Sequence, residues 1–594
     1  MMLTYLKNLY KYLPVKIKRK ILFLQAMIFA VSILELAGVG SALPFVAVLS
    51  NPESVKKYEV SQQIFNSFGI TDDRGIVLLV GSSMLIIFAM INSFRILVLH
   101  LMMKCSVSIN NYLTTTLFDY YMHQDYLFHT QNNSATLREK VFNETGRIGV
   151  VINSFFSILN SSLIALFIST AILIIDPILA LITGSVLVIF YLVIYRLVRK
   201  KIQDNGGILS TVNYLNSKII NEAFNGIRDI KLLGKEALLV NKIQEGHYQT
   251  THASQHNKIL AGYPRFLLEV LVIAIMVAML YLMTNNEKDL SHILPTLSLY
   301  AMGAYRLMPC LQVIFSGLAA IKERHAAFEN IWDDFHTALK NNLKTKPDSE
   351  EITFNEEITF SNIDFSYDEK QKIIDNLSFS IQKNTTVGFV GASGSGKTTT
   401  VDLILGFLKQ DSGSISIDKQ DLHQQNLHSW RQKIGFVPQM IFLADSTIAE
   451  NIAFGEFGDE IDMAKVRKAS DLAELTNFIE SQPLSFKTEV GERGIQLSGG
   501  QRQRIGIARA LYHDPEILVF DEATSALDGV TETAIIDAMH KFSHQKTIIM
   551  VAHRLTTVQD CDNIFFFEKG RIKQSGTYEE LLNQNDYFRK MAKL

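Results

Sequence analysis

The chain has 594 residues, a formal net charge of -2 and 48% apolar residues. This length exceeds one ordinary domain, and a nearly neutral chain lacks the electrostatic footprint of a nucleic-acid-binding protein. The three cysteines are far apart in the sequence and lack metal-ligand spacing, so we expect neither a disulfide framework nor a cysteine metal site.

Six apolar stretches dominate the first 325 residues or so. Each is roughly 20 residues long or longer, which is enough for a helix to cross the hydrocarbon layer of a membrane. We therefore predict six transmembrane spans. They lie at about residues 21–49, 76–103, 151–175, 178–197, 266–283 and 293–321.

Basic residues set the predicted orientation of these spans. Six lysines and arginines lie between Lys7 and Lys20, before the first span, and four lie between Arg196 and Lys201, after the fourth. Because such residues favour the cytoplasmic side, we place both of these ends in the cytoplasm. The first apolar run is too long for a signal peptide and shows no small-residue cleavage site, so we expect it to remain as a span.

Three polar segments of this half also carry structure in our interpretation. The connections after the second and fourth spans, of about 45 and 65 residues, are too long to be structureless. The extracytoplasmic segment 53–68 has an apolar side made by Tyr58, Ile64, Phe65 and Phe68. This segment is predicted either to lie on the membrane surface or to pack over the transmembrane bundle.

A polar stretch at residues 340–350, with Pro347 as a helix breaker, marks a domain boundary. We predict a transmembrane domain at residues 1–339, a linker at 340–351 and an α/β domain at 352–594. At the start of the last domain, Ile352–Phe354 and Ile358–Phe360 alternate in polarity as strands do.

Residues 391–398 read Gly-Ala-Ser-Gly-Ser-Gly-Lys-Thr, which is a P-loop. Its glycines let backbone N–H groups surround phosphate oxygens, Lys397 adds a positive charge, and the Thr398 hydroxyl can bind Mg²⁺. The motif predicts that a nucleoside triphosphate and Mg²⁺ bind here. The candidate residues are Gly391, Ser393, Gly394, Gly396, Lys397, Thr398 and Thr399.

Further motifs surround the P-loop in a fixed order along the chain. They are Phe365-Ser-Tyr367, Phe436-Val-Pro-Gln439, Leu497-Ser-Gly-Gly-Gln501, Asp521-Glu522 after an apolar run, Ser525-Ala-Leu-Asp528 and Val551-Ala-His553-Arg554. With the P-loop, this set resembles the ATP-binding cassette (ABC) family, and the spans before it resemble a half-transporter of the ABC exporters. The resemblance implies a membrane α-helical bundle of six transmembrane helices, type IV exporter-like, followed by an α/β P-loop nucleotide-binding domain.

The resemblance also implies roles for individual residues, because the family holds each ATP between two cassettes. Tyr367 matches the residue that stacks on adenine, although a strand tyrosine packed on the core is the other interpretation. Gln439 matches the glutamine that approaches Mg²⁺. The residues that match the surface facing the partner's nucleotide are Ser498, Gly499, Gly500, Gln501 and Asp528.

Three further matches concern hydrolysis. Asp521 is expected to hold Mg²⁺ through water, Glu522 to polarise the attacking water as general base, and His553 to sense the γ-phosphate. ATP and Mg²⁺ are thus the implied cofactors. Because one chain carries one cassette, a second copy of it is the implied partner, with a heterodimer left open.

Arginines in or beside the spans bear on the substrate, since charges in a membrane are costly. Arg95, Arg265 and Arg306 are in such positions, and the planar guanidinium fork suits phosphate. Glu35 and Glu269 complicate this interpretation. Because Glu269 follows Arg265 by four residues, an ion pair within one helix is the alternative to a ligand at Arg265.

Two strings around these arginines, Tyr263-Pro-Arg265-Phe-Leu-Leu-Glu269 and Ala304-Tyr-Arg306-Leu-Met-Pro309, are similar to the bacterial ABC flippases of lipid-linked oligosaccharides. There, cavity arginines bind the pyrophosphate of a polyprenyl-linked glycan and an external helix engages the lipid tail. Arg95 has no matching string. The resemblance implies a flippase for protein glycosylation in a bacterial inner membrane, with an exporter of lipid A, hydrophobic drugs or peptides as the alternative.

Exporters of the ABC family also place short coupling helices in their two long cytoplasmic connections. Residues 133–145 and 222–236 resemble them. The alternative is a solvated helical hairpin. A ligand-gated channel with a degenerate ATP site and an ABC ATPase acting on ribosomes or DNA fit this sequence poorly, because the motifs are intact and six spans are present.

Overall fold

The computed structural model describes residues 2–50, 67, 72–285, 290–341, 350–368, 371–522, 542–552 and 554–592. The chain divides into two compact units. One comprises Met1–Gln124 and His129–Leu343, and the other comprises Asp125–Phe128 and Lys344–Leu594. The predicted domain boundaries, 1–339, 340–351 and 352–594, stay a prediction. The external segment predicted at 53–68 lies outside the described residues except for Ser67.

The first unit is helical throughout its described part. Six of the helices described there are long and apolar enough to cross a membrane, which confirms the predicted bundle. The helices before residue 342 are α1 (Met2–Tyr12), α2 (Val15–Ser50), α3 (Asp73–Met122), α4 (Tyr126–Gln131), α5 (Ser134–Arg138), α6 (Thr145–Ile175), α7 (Pro177–Asn225), α8 (Ile227–Leu233), α9 (Glu236–Asn285), α10 (Leu290–Glu323) and α11 (His325–Asn341), with a π-helical segment at Glu139–Glu144. Of these, α4 alone has its first three residues in the second unit.

Three of these helices are far longer than a membrane crossing requires. Helices α3, α7 and α9 have 50, 49 and 50 residues. At 1.5 Å per residue each is about 75 Å long, against a hydrocarbon layer of about 30 Å. The long polar connections predicted from the sequence are therefore mainly continuations of the spans.

Short helices occupy the two segments that resemble coupling helices. Helix α5 and the π-helical turns fill residues 133–145 and belong to the first unit, and α8 lies within 222–236. The residues of the first connection that belong to the second unit come earlier in the chain, at Asp125–Phe128. There the Tyr126 ring packs 5.1 Å from the ring of Phe407, centroid to centroid.

The turn between the third and fourth spans follows from two residues. The Asp176 side chain accepts a hydrogen bond of 3.2 Å from the backbone N–H of Leu179, so it caps the start of α7. Pro177 stands at the first position of that helix, where a missing N–H costs no hydrogen bond. This local chemistry ends α6 at Ile175 and starts α7 two residues later.

The second unit contains two sheets. One has the strand order β2-β1-β4-β5 and is antiparallel, and the other has the order β10-β9-β3-β8-β7-β6, parallel except for β10. The strands are β1 (Glu357–Ser366), β2 (Lys372–Gln382), β3 (Thr386–Gly391), β4 (Ser412–Ile417), β5 (Gln420–Asp421), β6 (Ile434–Val437), β7 (Ile517–Asp521), β8 (Thr547–Val551), β9 (Asn563–Glu568) and β10 (Arg571–Gly576).

Helices cover the parallel sheet, whose central strands are buried on both faces. Along β7, Ile517 and Val519 belong to one apolar cluster and Leu518 and Phe520 to another, so the strand separates two cores. The helices are α12 (Lys397–Ile404), α13 (Leu427–Gln432), α14 (Ile448–Ile452), α15 (Met463–Leu472), α16 (Thr476–Ser481), α17 (Gly499–Leu511), α18 (Tyr578–Gln584) and α19 (Asp586–Ala592), with short 3₁₀ turns at Gly458–Glu460, Ser485–Lys487, Glu492–Gly494 and Leu555–Val558.

One of the two strands predicted at the start of this domain is wrong. Residues Ile358–Phe360 lie within β1, but Ile352–Phe354 form no strand. Ile352 and Phe354 are buried as the alternation suggests, yet the Ile352 N–H donates to the Ser429 hydroxyl, at 3.2 Å, rather than to a neighbouring strand. Alternating burial alone thus does not make a strand where a side chain takes the backbone hydrogen bond.

Candidate functional site

The P-loop connects a buried strand to a helix. Strand β3 ends at Gly391, and α12 begins at Lys397 with Gly396 as its N-cap residue at φ = 102°. A Cβ on Gly391 would lie 2.3 Å from the carbonyl oxygen of Phe567, so only glycine fits there. A Cβ on Gly394 would meet no atom within 4 Å, so the middle of the loop keeps open space beside its backbone.

Lys397 is almost fully buried beneath this loop. Its ammonium donates hydrogen bonds to the carbonyl oxygens of Gly391, at 2.9 Å, and Ala392, at 3.0 Å. Burial lowers the pKa of Lys397, and the carboxylates of Glu522 and Asp521 oppose that shift. The charge is therefore held at the loop by backbone carbonyls and two nearby acids, in a position suited to phosphate oxygens.

The loop's side chains fit a triphosphate with Mg²⁺. The Ser395 hydroxyl is buried and has no hydrogen-bond partner among the described residues. Thr398 is exposed at the first turn of α12, whereas Thr399 is buried. With the N-terminus of α12 beneath the loop, this donor set suits an anion.

Strand β7 and its neighbours bring the predicted catalytic residues together. Asp521 ends β7, and its side chain is buried. The Glu522 backbone has φ = 50°, and its N–H donates to the carbonyl oxygen of Val551 at 3.0 Å. Since parallel strands end at one edge of a sheet, Gln439 after β6 reaches the same edge, where its amide donates to the Glu522 carboxylate at 2.5 Å.

Tyr367 follows β1 and stays partly outside the core. Its side chain is 42% exposed, and its ring meets that of Phe365 edge to face at 5.0 Å. Its hydroxyl lies 3.4 Å from the Thr399 hydroxyl, which places the ring beside the P-loop helix. This exposure opposes the core-tyrosine interpretation, and stacking on adenine stays a prediction.

The LSGGQ motif forms the start of α17. The Ser498 hydroxyl accepts from the Gln501 backbone N–H at 3.2 Å, and the Gln501 side chain accepts from the Ser498 N–H at 2.9 Å, which is a capping box. Ser498 and Gly499 are exposed at this helix end. The motif therefore has a local structural role and also presents a helix N-terminus to the surface.

Arg509 on α17 contacts the segment 442–454, which follows Gln439. This contact was not predicted from the sequence. The Arg509 guanidinium donates to the carbonyl oxygens of Asn451 and Phe442, each at 2.8 Å, and lies 4.5 Å above the Phe454 ring. Burial lowers its pKa to about 10. The only available sequence signal was an arginine on the apolar side of an amphipathic helix.

Asp402 is a second residue that sequence reasoning missed. It lies on α12, one turn after Thr398, and burial together with the nearby Asp521 raises the pKa of its carboxyl from 3.8 to about 6. The spacing of four residues from Thr398 was the available signal, because such residues share a helix face.

We expect Asp402→Asn to stabilise the protein near neutral pH. The folded chain binds this proton more tightly than the unfolded chain, so the stability that Asp402 contributes is full below pH 3.8 and is lost as the pH rises through about 6. After a discount for solvent screening, the substitution should raise the free energy of unfolding by about 1 kcal/mol, which corresponds to roughly 2–4 °C in Tm. Thermal unfolding of the purified chain without nucleotide, at pH 7.5 and at pH 5, measures it.

The difference between this variant and the wild type should shrink at pH 5. Asp514→Asn is the matched control, because Lys546 and Lys468 hold the pKa of the Asp514 carboxyl below its usual value. That variant should lower the Tm at pH 7.5. An Asp402→Asn chain that unfolds at or below the wild-type temperature at pH 7.5 would contradict the assignment of a destabilising charge.

Two predicted residues lie outside the described part of the chain. These are Asp528 and His553. Their roles as dimer contact and γ-phosphate sensor remain predictions. The described site thus contains the P-loop, Gln439, Asp521 and Glu522 at one edge of the parallel sheet, with Tyr367 beside the P-loop helix.

The first unit places two of the three predicted substrate arginines on one carboxylate. Arg95 Nε lies 3.0 Å and Arg306 Nη1 lies 3.3 Å from the oxygens of Glu35. Arg265 is elsewhere, with its Nε 3.2 Å from Glu269 on the same helix and its side chain 64% exposed. The ion pair between Arg265 and Glu269, which was the alternative to a ligand at Arg265, is present. Phosphate binding by the three arginines stays a prediction.

A cavity of about 360 Å³ adjoins Arg95 between helices of this bundle. Its lining combines apolar side chains with the polar groups of Asn92, Ser157 and Asn160. Such mixed lining beside a charged group suits an amphiphilic ligand.

Fold and site together define a P-loop nucleotide-binding domain joined in one chain to a bundle of membrane-length helices. Two family profiles match the chain: one described as ABC transporter, over residues 374–525, and one described as ABC transporter transmembrane region, over residues 40–304. The chain belongs to the ABC transporter family. The predicted family and fold class are confirmed.

Individual relatives share part of their length with this chain. It is 35% identical over 393 residues to the heterocyst differentiation ATP-binding protein HepA of Nostoc sp., covering 65% of this chain and 62% of that protein. It is 32% identical over 398 residues to the ATP-dependent lipid A-core flippase of Saccharophagus degradans, covering 66% and 65% respectively. The matches thus span a little under two thirds of the length of these curated relatives.

A solved structure matches over nearly the whole chain. It is described as a bacterial Atm1-family ABC exporter with ATP bound, and it matches with a TM-score of 0.75 over 97% of both chains. The sequence identity is 24%. This likeness supports the fold alone.

Proposed function

We propose that this chain is an ATP-driven flippase that moves a polyprenyl-diphosphate-linked oligosaccharide across a bacterial inner membrane, as a homodimer. The observation that carries the substrate class is the pair Arg95 and Arg306 among membrane-length helices, with Arg306 only 8% exposed. Charge at such a position is costly and marks a functional site, and two guanidinium groups here share one carboxylate. The guanidinium fork is matched to phosphate oxygens.

The amphiphilic character of the cavity beside Arg95 supports the same class. A lipid-linked glycan needs apolar contacts for its chain, hydrogen-bonding groups for its sugars and positive charge for its diphosphate. The relative in Saccharophagus degradans is named as a flippase of another glycan-bearing lipid, lipid A-core. These points favour a large anionic amphiphile over a neutral or cationic drug.

ATP hydrolysis supplies the driving force in this proposal. The P-loop and Lys397 bind the phosphates, Gln439 and Asp521 orient the site, and the Glu522 carboxylate accepts a proton from the attacking water. Bound Mg²⁺ would neutralise charge on the β- and γ-phosphates. Ser498 at the exposed start of α17 completes the site of the second copy, so both chains are needed for each ATP.

An exporter of hydrophobic molecules is the second candidate. A second cavity in the first unit, of about 110 Å³, is lined mainly by apolar residues including Met276, Met279 and Met308, with Tyr300 as a polar group. Methionine side chains adapt to varied apolar ligands. A drug or peptide exporter would use this cavity and would not depend on Arg95 or Arg306.

The arginines therefore separate the two candidates. We expect Arg306→Ala and Arg95→Ala to lower flipping of a polyprenyl-diphosphate-linked glycan about tenfold or more, because each removes charge-assisted hydrogen bonds to the diphosphate. Basal ATP hydrolysis and protein yield should persist. Flipping and hydrolysis are measured in the same proteoliposomes, together with the lysine variants, which keep the charge but lose the fork.

Arg19→Ala provides the matched control, because Arg19 is exposed and lies before the first predicted span. It should flip lipid at the wild-type rate. Equal loss of flipping, hydrolysis and yield in the Arg95 and Arg306 variants would indicate a structural role for these side chains. Normal flipping by both alanine variants would favour the export of an uncharged or cationic molecule.

A further inference from the structure

Three charged side chains from three different helices meet inside the first unit. Glu35 comes from α2, Arg95 from α3 and Arg306 from α10. We call these residues the charge cluster. Glu35 is 1% exposed and lies within 3.3 Å of both guanidinium groups, as ion pairs without hydrogen-bond geometry, whereas Arg95 is 40% exposed and borders the cavity beside it.

The charges in this cluster do not cancel. One carboxylate faces two guanidinium groups, which leaves a surplus of one positive charge among apolar helices. A fully buried carboxylate needs such partners, because an unpaired charge in this environment is strongly disfavoured. An anion that entered the cluster would meet an uncompensated positive charge together with a carboxylate that competes for it.

Arg306 also has a donor group that no acceptor among the described residues takes. Its Nε–H is buried and has no hydrogen-bond partner among the described residues, while its Nη1 faces Glu35. The guanidinium lies 4.8 Å from the centre of the Phe88 ring, which restrains its plane. A buried N–H donor without an acceptor is unfavourable, so an incoming oxygen atom would be stabilised there.

We propose that Glu35 is the resident counter-ion of an anion site formed by Arg95 and Arg306. This inference rests on the proposed function, since it takes a lipid diphosphate as the anion. Glu35 holds both guanidinium groups in place before the substrate binds. The diphosphate then binds Arg306 through its free donor and displaces Glu35 from it, and the returning carboxylate helps to release the lipid.

Glu35 is thus a positioning residue that sets the balance between binding and release. A carboxylate that competes with the substrate lowers affinity and speeds dissociation. A purely structural carboxylate would instead support binding, because its loss would let the arginines move. The two roles predict opposite changes in affinity when the charge of Glu35 is removed.

The test replaces Glu35 by glutamine, which keeps the side-chain size and removes the charge. Binding of undecaprenyl diphosphate, with undecaprenol as the uncharged probe, is measured in lipid nanodiscs. Removing the competitor should tighten undecaprenyl diphosphate binding about tenfold or more and slow its dissociation, as typical coupling between sites does. ATP-driven flipping should fall because release is slow, and undecaprenol binding should not change.

Asp334→Asn is the matched control for this experiment. It removes a carboxylate from another interhelical ion pair of the same unit, with Lys140 Nζ at 2.6 Å, outside the charge cluster. Its affinity for undecaprenyl diphosphate should equal that of the wild type. Unchanged or weaker binding by a folded Glu35→Gln chain, with the thermal unfolding temperature as the check on folding, would overturn the counter-ion role.

A structure of the wild type with undecaprenyl diphosphate bound tests, without any variant, whether the diphosphate displaces Glu35 from Arg306. We expect a phosphate oxygen at Arg306 and a separation of more than 4 Å between Arg306 Nη1 and Glu35, which is 3.3 Å in the present structure. A diphosphate at the arginines with this ion pair still closed would refute the counter-ion role alone. Diphosphate bound away from both arginines, or equal binding of undecaprenol, would refute the proposed substrate class instead.

Discussion

Replacing Glu522 by glutamine is expected to leave ATP binding intact and to lower ATP turnover about a hundredfold or more. The substitution keeps the size of the side chain and removes the carboxylate that we propose polarises the attacking water. The Lys397 ammonium should stay in place, because it donates hydrogen bonds to the carbonyl oxygens of Gly391 and Ala392. Steady-state hydrolysis and nucleotide affinity of the purified chain measure the two effects separately.

The other end of the same strand offers the control. Glu516 precedes β7 and forms ion pairs with Lys383 and Lys433, at 3.1 and 2.7 Å, away from the P-loop. Glu516→Gln should keep most of the wild-type turnover. If the Glu522→Gln variant turned over ATP within about threefold of the wild-type rate, the Glu522 carboxylate would not be the general base.

Two inactive variants should restore activity when they are combined in one dimer. Lys397→Ala removes phosphate binding, and Ser498→Arg blocks the exposed start of α17, so each is expected to be inactive alone. If each ATP site is shared between two chains, both lesions fall at one site of the mixed dimer and the other site is intact. Co-expression with two affinity tags isolates the mixed dimer, and its ATP hydrolysis should return to roughly half that of the wild type if the sites act independently.

Co-expression of Lys397→Ala with the double variant Lys397→Ala/Ser498→Arg is the matched control. No site in that dimer has an intact P-loop, so hydrolysis should stay at background. If the purified mixed dimer of the two single variants also stayed at background, each ATP site would be built within one chain. The shared-site account would then be wrong.

The nucleotide site could be predicted from the sequence because its chemistry is local. The P-loop binds through consecutive backbone groups, so the spacing of Gly391, Gly396 and Lys397 already specifies the cradle. Gln439 and Glu522 are 83 residues apart, but each follows a strand of one parallel sheet. The resemblance assigned both residues to one nucleotide site, and the parallel sheet explains why they meet at its edge.

Contacts between distant helices could not be predicted in the same way. Glu35, Arg95 and Arg306 come together only through the packing of three long helices, and the sequence showed only that each charge was costly. The raised pKa of Asp402 likewise depends on burial beside Asp521. At Ile352–Phe354, the period of two predicted burial but not the hydrogen bond to Ser429.

ATP-driven movement of the lipid-linked glycan between membrane leaflets is the most direct test of the proposed function. The chain is reconstituted in vesicles that hold a fluorescent polyprenyl-diphosphate-linked glycan, and quenching from outside reports which leaflet contains the glycan. The account predicts that ATP moves the glycan between leaflets with the wild type, that Glu522→Gln does not move it, and that the uncharged polyprenol-linked glycan moves poorly. Hydrolysis without movement of the diphosphate-linked glycan, or equal movement of both lipids, would contradict the account.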